Sequence, residues 1–229
     1  MTRIAFLHTG AVVIAPVMER ARAALPEATF INYLDDRIVA DLADDARAGS
    51  VPGRVAGLAR AAMSAGADLV MLTCSSISQL AARVEDEVGI PVLRIDEAMA
   101  DAATADATRI AVLATLPTTL APTVALLHER AARTGHSPEI VAEVIEDAFA
   151  AVSTGDRDAH DRLVAAAIER VADQVDVVVL AQASMASAAE AVQVEVPILT
   201  SIVPGIERLR DTVTARAAHG APTEGAEIR

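Results

Sequence analysis

The feature that most constrains this chain is an internal repeat with nearly constant spacing. The segment Asp68–Val84 returns in pattern as Asp176–Val192, at an offset of 108 (176 minus 68). The segment Arg3–Thr9 returns as Arg109–Thr115, at an offset of 106 (109 minus 3). Self-similarity at a fixed period indicates a structural unit that occurs more than once. The chain is therefore predicted to contain two similar halves.

Within each half, short apolar runs alternate with alanine-rich stretches. Ile4–Leu7 and Leu69–Thr73 in the first half, and Val177–Leu180 in the second, have the composition of buried strands. Strands that alternate with helices favour parallel sheets covered by helices on both faces. We therefore predict an α/β fold of two similar lobes, related by a pseudo-twofold axis, with an active-site cleft between them.

The predicted domain division follows the repeat. The first lobe is expected to span residues 1–102, and the second residues 103–200. A C-terminal helix and tail, residues 201–229, are expected to return to the first lobe. Because His219–Arg229 contains Gly, Pro, Thr and Glu, this end is predicted to be a frayed tail.

Four local features set the expected element boundaries of the first lobe. Asp35–Ala48 is predicted to be a helix, and Gly49–Gly53 a loop because of its Gly and Pro residues. The segment from Cys74 to Glu87 shows helical periodicity throughout. Asp96 stands where it could cap the helix that follows the last strand.

Composition limits the possible partners. A net charge of -13 and a pI near 4.7 argue against nucleic acid and anionic membranes, both of which would be repelled. No apolar run approaches the roughly 20 residues of a membrane helix, and the N-terminus lacks a signal-peptide pattern. The expected location is cytoplasmic. A small carboxylate remains a suitable substrate, because local donors decide whether a pocket binds an anion.

Candidate site residues follow the ends of the predicted strands, where parallel α/β sheets bind ligands. Four segments have this position: His8–Gly10, Cys74–Ser76, Thr115–Thr119 and Gln182–Ser184. Backbone amides and hydroxyls in such segments suit a carboxylate. The predicted substrate-binding residues are Thr9, Ser75, Ser76, Thr115, Thr118, Thr119, Gln182, Ala183 and Ser184.

Two side chains are candidates for proton transfer. The single cysteine, Cys74, lies between a strand and a helix, where the helix dipole can favour a thiolate; the alternative is a buried thiol. His8 is the candidate for a second proton carrier, with a structural role as the alternative. The remaining histidines are predicted to lie at the surface: His128, His136, His160 and His219.

The absence of several sequence motifs disfavours some classes of enzyme. The chain contains no HExxH, GxGxxG, GxxxxGK[ST], CxxC or GxSxG pattern. These absences disfavour zinc hydrolases, dinucleotide enzymes, nucleotide triphosphatases and serine hydrolases. One cysteine cannot form an internal disulfide or a cysteine-based metal site, so no metal site is predicted.

The order of these motifs resembles the aspartate/glutamate/hydantoin racemase superfamily over nearly the whole chain. The matching features are strand-Cys74-Ser75-Ser76-helix, the strand-end threonines that begin at Thr115, and an echo of the cysteine motif at Gln182. The resemblance implies two α/β lobes that place one cysteine each beside the substrate α-carbon, with no cofactor. It also implies that one thiolate removes the α-proton while the other thiol protonates the opposite face.

The resemblance assigns roles to residues of this chain. Cys74 would be the first of the two thiols, and Ser75 and Ser76 would contact a carboxylate. Thr115, Thr118 and Thr119 would match the carboxylate-binding segment at the lobe junction. The resemblance also makes a homodimer plausible.

Two departures from the family pattern stand out. The second motif of the family is Gly-Cys-Thr, whereas this chain has Ala181–Ser184, with Gln182 at the cysteine position. An amide has no pKa useful for proton transfer. The first strand ends in His8–Gly10 instead of an Asn-rich segment.

Three interpretations follow from these residues. The first is a cofactor-independent racemase or isomerase that acts on a small carboxylate, such as an amino acid, by proton transfer at Cys74. A variant of it is cis-trans isomerisation with Cys74 as nucleophile. The second is a decarboxylase of a malonate-type acid, and the third is a carboxylate-binding protein without catalysis.

Overall fold

The computed structural model describes residues 1–220 and contains two parallel four-stranded sheets. The strand order is β2-β1-β3-β4 in the first sheet and β6-β5-β7-β8 in the second, so the two halves share one topology. The predicted α/β fold of two similar lobes is confirmed. The predicted tail beyond residue 220 lies outside the described residues.

The elements of the first half run in the order expected from the strand pattern. They are β1 (Arg3–His8), α1 (Ile14–Ala24), β2 (Thr29–Leu34), α2 (Ile38–Leu42), α3 (Val51–Ser64), β3 (Leu69–Leu72), α4 (Ser75–Ser78), α5 (Ala81–Val88) and β4 (Val92–Arg94), with 3-10 turns at Ala11–Val13 and Ala48–Ser50.

The second half repeats this order. Its elements are α6 (Glu97–Thr104), β5 (Arg109–Ala114), α7 (Pro117–Thr134), β6 (Glu139–Val144), α8 (Ala148–Ser153), α9 (Arg157–Ala172), β7 (Val177–Leu180), α10 (Ala186–Ala191), β8 (Ile198–Leu199) and α11 (Ile202–Gly220), with a 3-10 turn at Ala183–Met185.

The two copies of the repeat make the same hydrogen bond between an aspartate and the start of a neighbouring strand. In the first lobe the carboxylate of Asp68 accepts a hydrogen bond from the backbone N–H of Arg3 at 2.8 Å. In the second, the carboxylate of Asp176 accepts one from the backbone N–H of Arg109, also at 2.8 Å. Each aspartate thereby joins the start of the central strand to its neighbour. Hydrogen bonds from Thr108 and Arg109 lower the pKa of Asp176.

The lobes exchange helices. On α6, Met99 and Ala103 pack in the core that contains Ile110 and Val112 of the second sheet. On α11, Ile206 and other apolar residues pack against the core of the first sheet. Each helix therefore follows the last strand of one lobe and covers the sheet of the other.

An ionic network connects the exchanged helices. The guanidinium of Arg208 on α11 donates to Glu97 at 3.1 Å and to Asp101 at 2.5 Å, both on α6. Arg130 on α7 contacts the same two carboxylates. The two arginines lower the pKa of Asp101, although its partial burial acts in the opposite direction. The domain division at 102/103 stays a prediction. The helix at this boundary, α6, begins in the predicted first lobe and packs on the second sheet.

Several local expectations were wrong. The predicted helix Asp35–Ala48 is reduced to Ile38–Leu42, and Arg54 pairs with Asp35 before this helix and with Asp41 within it. The predicted loop Gly49–Gly53 is divided between the 3-10 turn that ends at Ser50 and the start of α3 at Val51. A proline in the first helical turn lacks an N–H that would have had no partner there, so it favours this start.

Two further corrections concern the segment after Cys74 and a histidine. The predicted continuous helix to Glu87 is divided into α4 and α5. His160, predicted to lie at the surface, is fully buried on α9, and its ring lies 2.7 Å from the carboxylate of Asp161. Helical position alone did not show which face of α9 packs inward.

A glycine allows α11 to approach the end of β4. A Cβ built at Gly205 would lie 2.3 Å from the backbone oxygen of Ile95, which cannot move aside as a side chain could. We expect Gly205→Ala to lower the free energy of unfolding by about 1–3 kcal/mol through overpacking. Chemical denaturation measures this change.

The matched control is Gly57→Ala on α3, where the added Cβ would come no nearer than 3.8 Å to a side-chain atom of Arg60. Removing a helix-interior glycine should stabilise the protein by roughly 0.5–1 kcal/mol. Equal effects of the two substitutions would contradict the close approach at Gly205.

Candidate active site

A cavity of about 880 Å³ lies between the two lobes, at the carboxyl ends of the central strands. Its first-lobe wall includes Thr9 and Cys74, and its second-lobe wall includes Thr118 and Gln182. Because both sheets are parallel, the polar residues that follow their strands converge on this space. The cavity thus occupies the position predicted for the cleft.

Cys74 is the second residue after the end of β3, in extended conformation (φ -133°, ψ 125°), and immediately precedes α4. Burial raises the pKa of its thiol, while hydrogen bonds involving Thr9 and Ser76 act in the opposite direction. The buried carboxylate of Asp96 raises this pKa further. The helix dipole invoked from the sequence is outweighed, and the resting side chain is a thiol.

Two hydroxyls on α4 bridge the lobes beneath the cavity. Ser75 Oγ donates to the backbone oxygen of Ala181 at 3.1 Å. Ser76 Oγ and Thr119 Oγ1 lie 3.0 Å apart, at hydrogen-bonding distance. These contacts fix the turn after Cys74 against the start of α7 and the end of β7.

Gln182 occupies the position in the second lobe that Cys74 occupies in the first. Its Oε1 accepts a hydrogen bond from the backbone N–H of Thr115 at 2.6 Å, and its Nε2 donates to Thr115 Oγ1 at 2.8 Å. Both ends of the amide are therefore held by one residue. Gln182 lines the cavity as a fixed hydrogen-bonding group.

His8 does not line the cavity, and its ring is buried behind the wall. Nδ1 lies 2.8 Å from Thr73 Oγ1, and Nε2 lies 2.9 Å from Asn32 Oδ1. Burial lowers the pKa of His8, with the Asn32 hydrogen bond acting in the opposite direction. Thr73 Oγ1 also donates to the backbone oxygen of Leu7 at 3.0 Å, so the His8 ring and this hydroxyl belong to one buried network. This position supports a structural role for His8, and the role of its ring as a second proton carrier stays a prediction.

Most of the predicted binding residues are brought together. The residues of that set that line the cavity are Thr9, Ser75, Ser76, Thr118, Thr119, Gln182, Ala183 and Ser184. Thr115 does not line it, because its hydroxyl and N–H hold Gln182. The roles of these residues toward a substrate remain predictions.

Sequence reasoning missed the cation of the cavity wall. Arg157 is the first residue of α9, and its Nη1 donates to the backbone oxygen of Ser184 at 2.8 Å. Gly155 precedes it in left-handed conformation (φ 88°), and the Asp156 side chain caps the helix at the N–H of Ala159. The capping residue Asp156 is the sequence feature from which the position of Arg157 at the start of a helix could have been predicted.

A second group that was not predicted to belong to the site is Asp96, whose charge acts on Cys74. Asp96 is fully buried, and its Oδ2 accepts a hydrogen bond from Ser78 Oγ at 2.9 Å. Its carboxylate makes no capping bond to α6, contrary to expectation. Burial raises the pKa of Asp96, and Arg94, with Nε 3.8 Å from Oδ1, acts in the opposite direction.

Within residues 1–220, no group of three or more His, Cys, Asp or Glu side chains is arranged to hold a metal ion. In the same part of the chain, no helix combines the length and apolar character needed to cross a membrane.

The fold and the site define a two-lobed α/β protein with one thiol at the junction of its lobes. Residues 7–209 match the family model for Asp/Glu/hydantoin racemases. The chain therefore belongs to this family and is an enzyme of the racemase type. No protein with a curated function matches the chain in sequence.

Solved racemases share the fold. Glutamate racemase from Francisella tularensis subsp. tularensis SCHU S4, solved in complex with D-glutamate, superposes with a TM-score of 0.76 at 14% identity, over 94% of this chain and 82% of that chain. Allantoin racemase from Klebsiella pneumoniae gives 0.65 at 21% identity, over 100% and 96%. Aspartate racemase from Picrophilus torridus gives 0.67 at 14% identity, over 95% of each.

The raised pKa of Cys74 can be measured by alkylation. Because iodoacetamide reacts with the thiolate, we expect native Cys74 to react more slowly at pH 7.5 than the same residue in urea. The midpoint of the rate against pH should also lie higher in the native protein. Thr9→Val, which removes a hydrogen bond that lowers the pKa, should move the midpoint higher still. A native midpoint at or below that of the unfolded chain would contradict this account.

Proposed function

We propose that this enzyme catalyses cofactor-independent proton transfer at the α-carbon of a small carboxylate, such as an amino acid, with Cys74 as the proton carrier. One observation supports this most directly. The single thiol of the chain lines the cavity between the lobes, at the carboxyl end of β3. It lies beside hydroxyl groups and a turn of backbone amides.

The proposed chemistry begins with the thiolate of Cys74. Sγ takes the α-proton, and the electron pair of the broken C–H bond moves into the carboxylate as an enediolate. Donors aimed at the developing charge stabilise such an intermediate. The raised pKa of Cys74 makes its thiolate scarce but more basic, which suits a weakly acidic C–H bond.

The substrate carboxylate is proposed to lie against the hydroxyl floor formed by both lobes. Ser76 contributes its hydroxyl from α4, and Thr118 and Thr119 contribute theirs from the first turn of α7. Ser75 is proposed to contribute its backbone N–H, because its hydroxyl donates to Ala181. In the first turn of α7, Pro117 has no N–H, and the N–H of Thr119 donates to the backbone oxygen of Leu116 at 3.1 Å, so the N–H of Thr118 is the amide proposed to contact the carboxylate. These groups bind an anion without a cluster of cations.

Only one face of the α-carbon has a thiol in this proposal. Gln182 faces the cavity from the second lobe, but its amide does not titrate and both of its ends are bonded to Thr115. The buried position of His8 gives it no direct contact with the cavity. In racemisation Cys74 would remove the proton from one face of the α-carbon, and water would donate a proton to the other face. The Cys74 thiol would then return its proton to the solvent.

A lyase is the second candidate. A decarboxylase of a malonate-type acid needs a thiol that protonates an enediolate after carbon dioxide leaves. Burial keeps Cys74 in its protonated form, and the second lobe lacks a competing acid. Cis-trans isomerisation by addition of Cys74 to a double bond uses the same residue. Membership of an enzyme family replaces the interpretation as a binding protein without catalysis.

The sequence-based expectations of a cytoplasmic location and a homodimer belong to this proposal. The first rests on the N-terminal composition, and the second on the family resemblance. Sedimentation equilibrium of the full chain measures the second directly.

The reaction class is tested by proton NMR in deuterated water with amino, hydroxy, unsaturated and substituted-malonic acids. Cys74→Ala should lower kcat/KM by about 10²–10⁴, the usual contribution of a positioned acid or base. Cys74→Ser is the matched control for shape, since its hydroxyl fills the site without a suitable pKa. Unchanged turnover in Cys74→Ala would remove Cys74 from the mechanism, whereas loss of carbon dioxide in the wild type would assign a lyase.

The stereochemical role of Gln182 is tested by Gln182→Cys, which places a thiol on the wall opposite Cys74. We expect the rate of racemisation to increase relative to the rate of α-deuteration, because a second acid can then protonate the other face. Polarimetry and NMR on the same samples give this ratio. An unchanged ratio would mean that proton delivery to that face does not depend on residue 182.

A further inference from the structure

We propose that the acid taken by this site carries one carboxylate and an apolar side chain, rather than a second carboxylate. This inference rests on the proposed function, because it places the α-carbon at Cys74 and the side chain toward the mouth of the cavity. It comes from the outer walls and the charges of the cavity, neither of which contributes to the proton transfer itself.

The outer walls of the cavity are apolar in both lobes. Val12 and Val39 contribute from the first lobe, on the turn after β1 and on α2. Phe149 and Val152 contribute from α8, the element of the second lobe that corresponds to α2. Val12 is 53% exposed and Phe149 is 41% exposed, so large apolar surfaces face the cavity from opposite lobes. Such surfaces mark a place where an apolar group is buried on binding.

The size of the cavity agrees with this assignment. A volume of about 880 Å³ lies in the upper part of the range of roughly 300–1,000 Å³ found for pockets that bury drug-sized ligands. The hydroxyl floor beside Cys74 occupies one end of that space. An acid as small as aspartate would leave the apolar walls exposed to water.

The charges of the lining favour a single carboxylate. Among residues 1–220, the charged residues that line the cavity are Asp36 and Arg157. The hydroxyl floor is proposed to take the carboxylate at the α-carbon, and Arg157 already donates to the backbone oxygen of Ser184. Asp36 would repel a second carboxylate and attract the ammonium group of an amino acid. Arg94 does not line the cavity, and its guanidinium lies against the carboxylates of Asp96 and Glu129.

The test compares binding of racemic phenylalanine and leucine with that of aspartate and glutamate by isothermal calorimetry. We expect the apolar acids to bind at least tenfold more tightly. Phe149→Ala should weaken phenylalanine binding by roughly tenfold through loss of apolar contact area, and leave glutamate unchanged. Leu163→Ala is the matched control, since Leu163 is a similarly exposed apolar residue (37%) outside the cavity.

A second pair of variants protects the test against an indirect effect of Phe149→Ala. Val12→Ser should also weaken phenylalanine binding, whereas Val203→Ser should not, because Val203 is 40% exposed but lies outside the lining. Circular dichroism confirms that each variant is folded.

The outcomes separate this inference from the proposed function. Equal or tighter binding of the dicarboxylates, no binding of the apolar acids, or equal effects of cavity and control variants would overturn the inference. Preferential binding of apolar acids without Cys74-dependent α-deuteration would leave the inference standing and overturn the proton-transfer proposal. Cys74-dependent deuteration confined to aspartate or glutamate would do the reverse.

Discussion

The arrangement of this protein depends on the burial of two exchanged helices. Met99 on α6 is fully buried with the second sheet, and Leu209 on α11 is fully buried with the first. Burying one such side chain contributes about 1.5–3 kcal/mol. Because each lobe needs a helix that starts at the last strand of the other, the two lobes cannot separate without exposing both cores. The strand ends therefore stay together, and the cavity exists where they meet.

The same packing removes water from the polar groups around the cavity. The Gln182 amide is paired with Thr115, and the His8 ring is paired with Thr73 and Asn32. Buried polar groups that are fully paired are rigid, and they have little tendency to titrate. Cys74 differs from them because it is at the cavity surface, next to donors on Thr9 and Ser76. A ligand in the cavity can therefore reach the Cys74 thiol directly.

Strand ends were predictable from the sequence, but the direction of each side chain at those ends was not. His8 and Thr9 are consecutive, and successive residues in extended backbone point to opposite sides. Thr9 consequently lines the cavity, while His8 points into the protein. Thr115 was predicted to face the substrate, but it does not line the cavity. Its partner is Gln182, which lies 67 positions away in the sequence, so a local pattern could not show this pairing. Arg157 does not belong to a sequence motif for ligand binding, and only the folded chain shows that it lines the cavity.

The sequence by itself determined the repeated order of strands and helices, the two lobes and the position of Cys74 after a central strand. These features follow from local periodicity and from self-similarity, which a single chain displays directly. Only the tertiary structure decided the packing of α6 on the second sheet, the pairing of Gln182, the burial of His160 and the apolar walls beside Phe149. These depend on contacts between residues far apart in the chain, such as Ser75 with Ala181 at a separation of 106. A local pattern specifies which face of an element is apolar, but only packing specifies what that face meets.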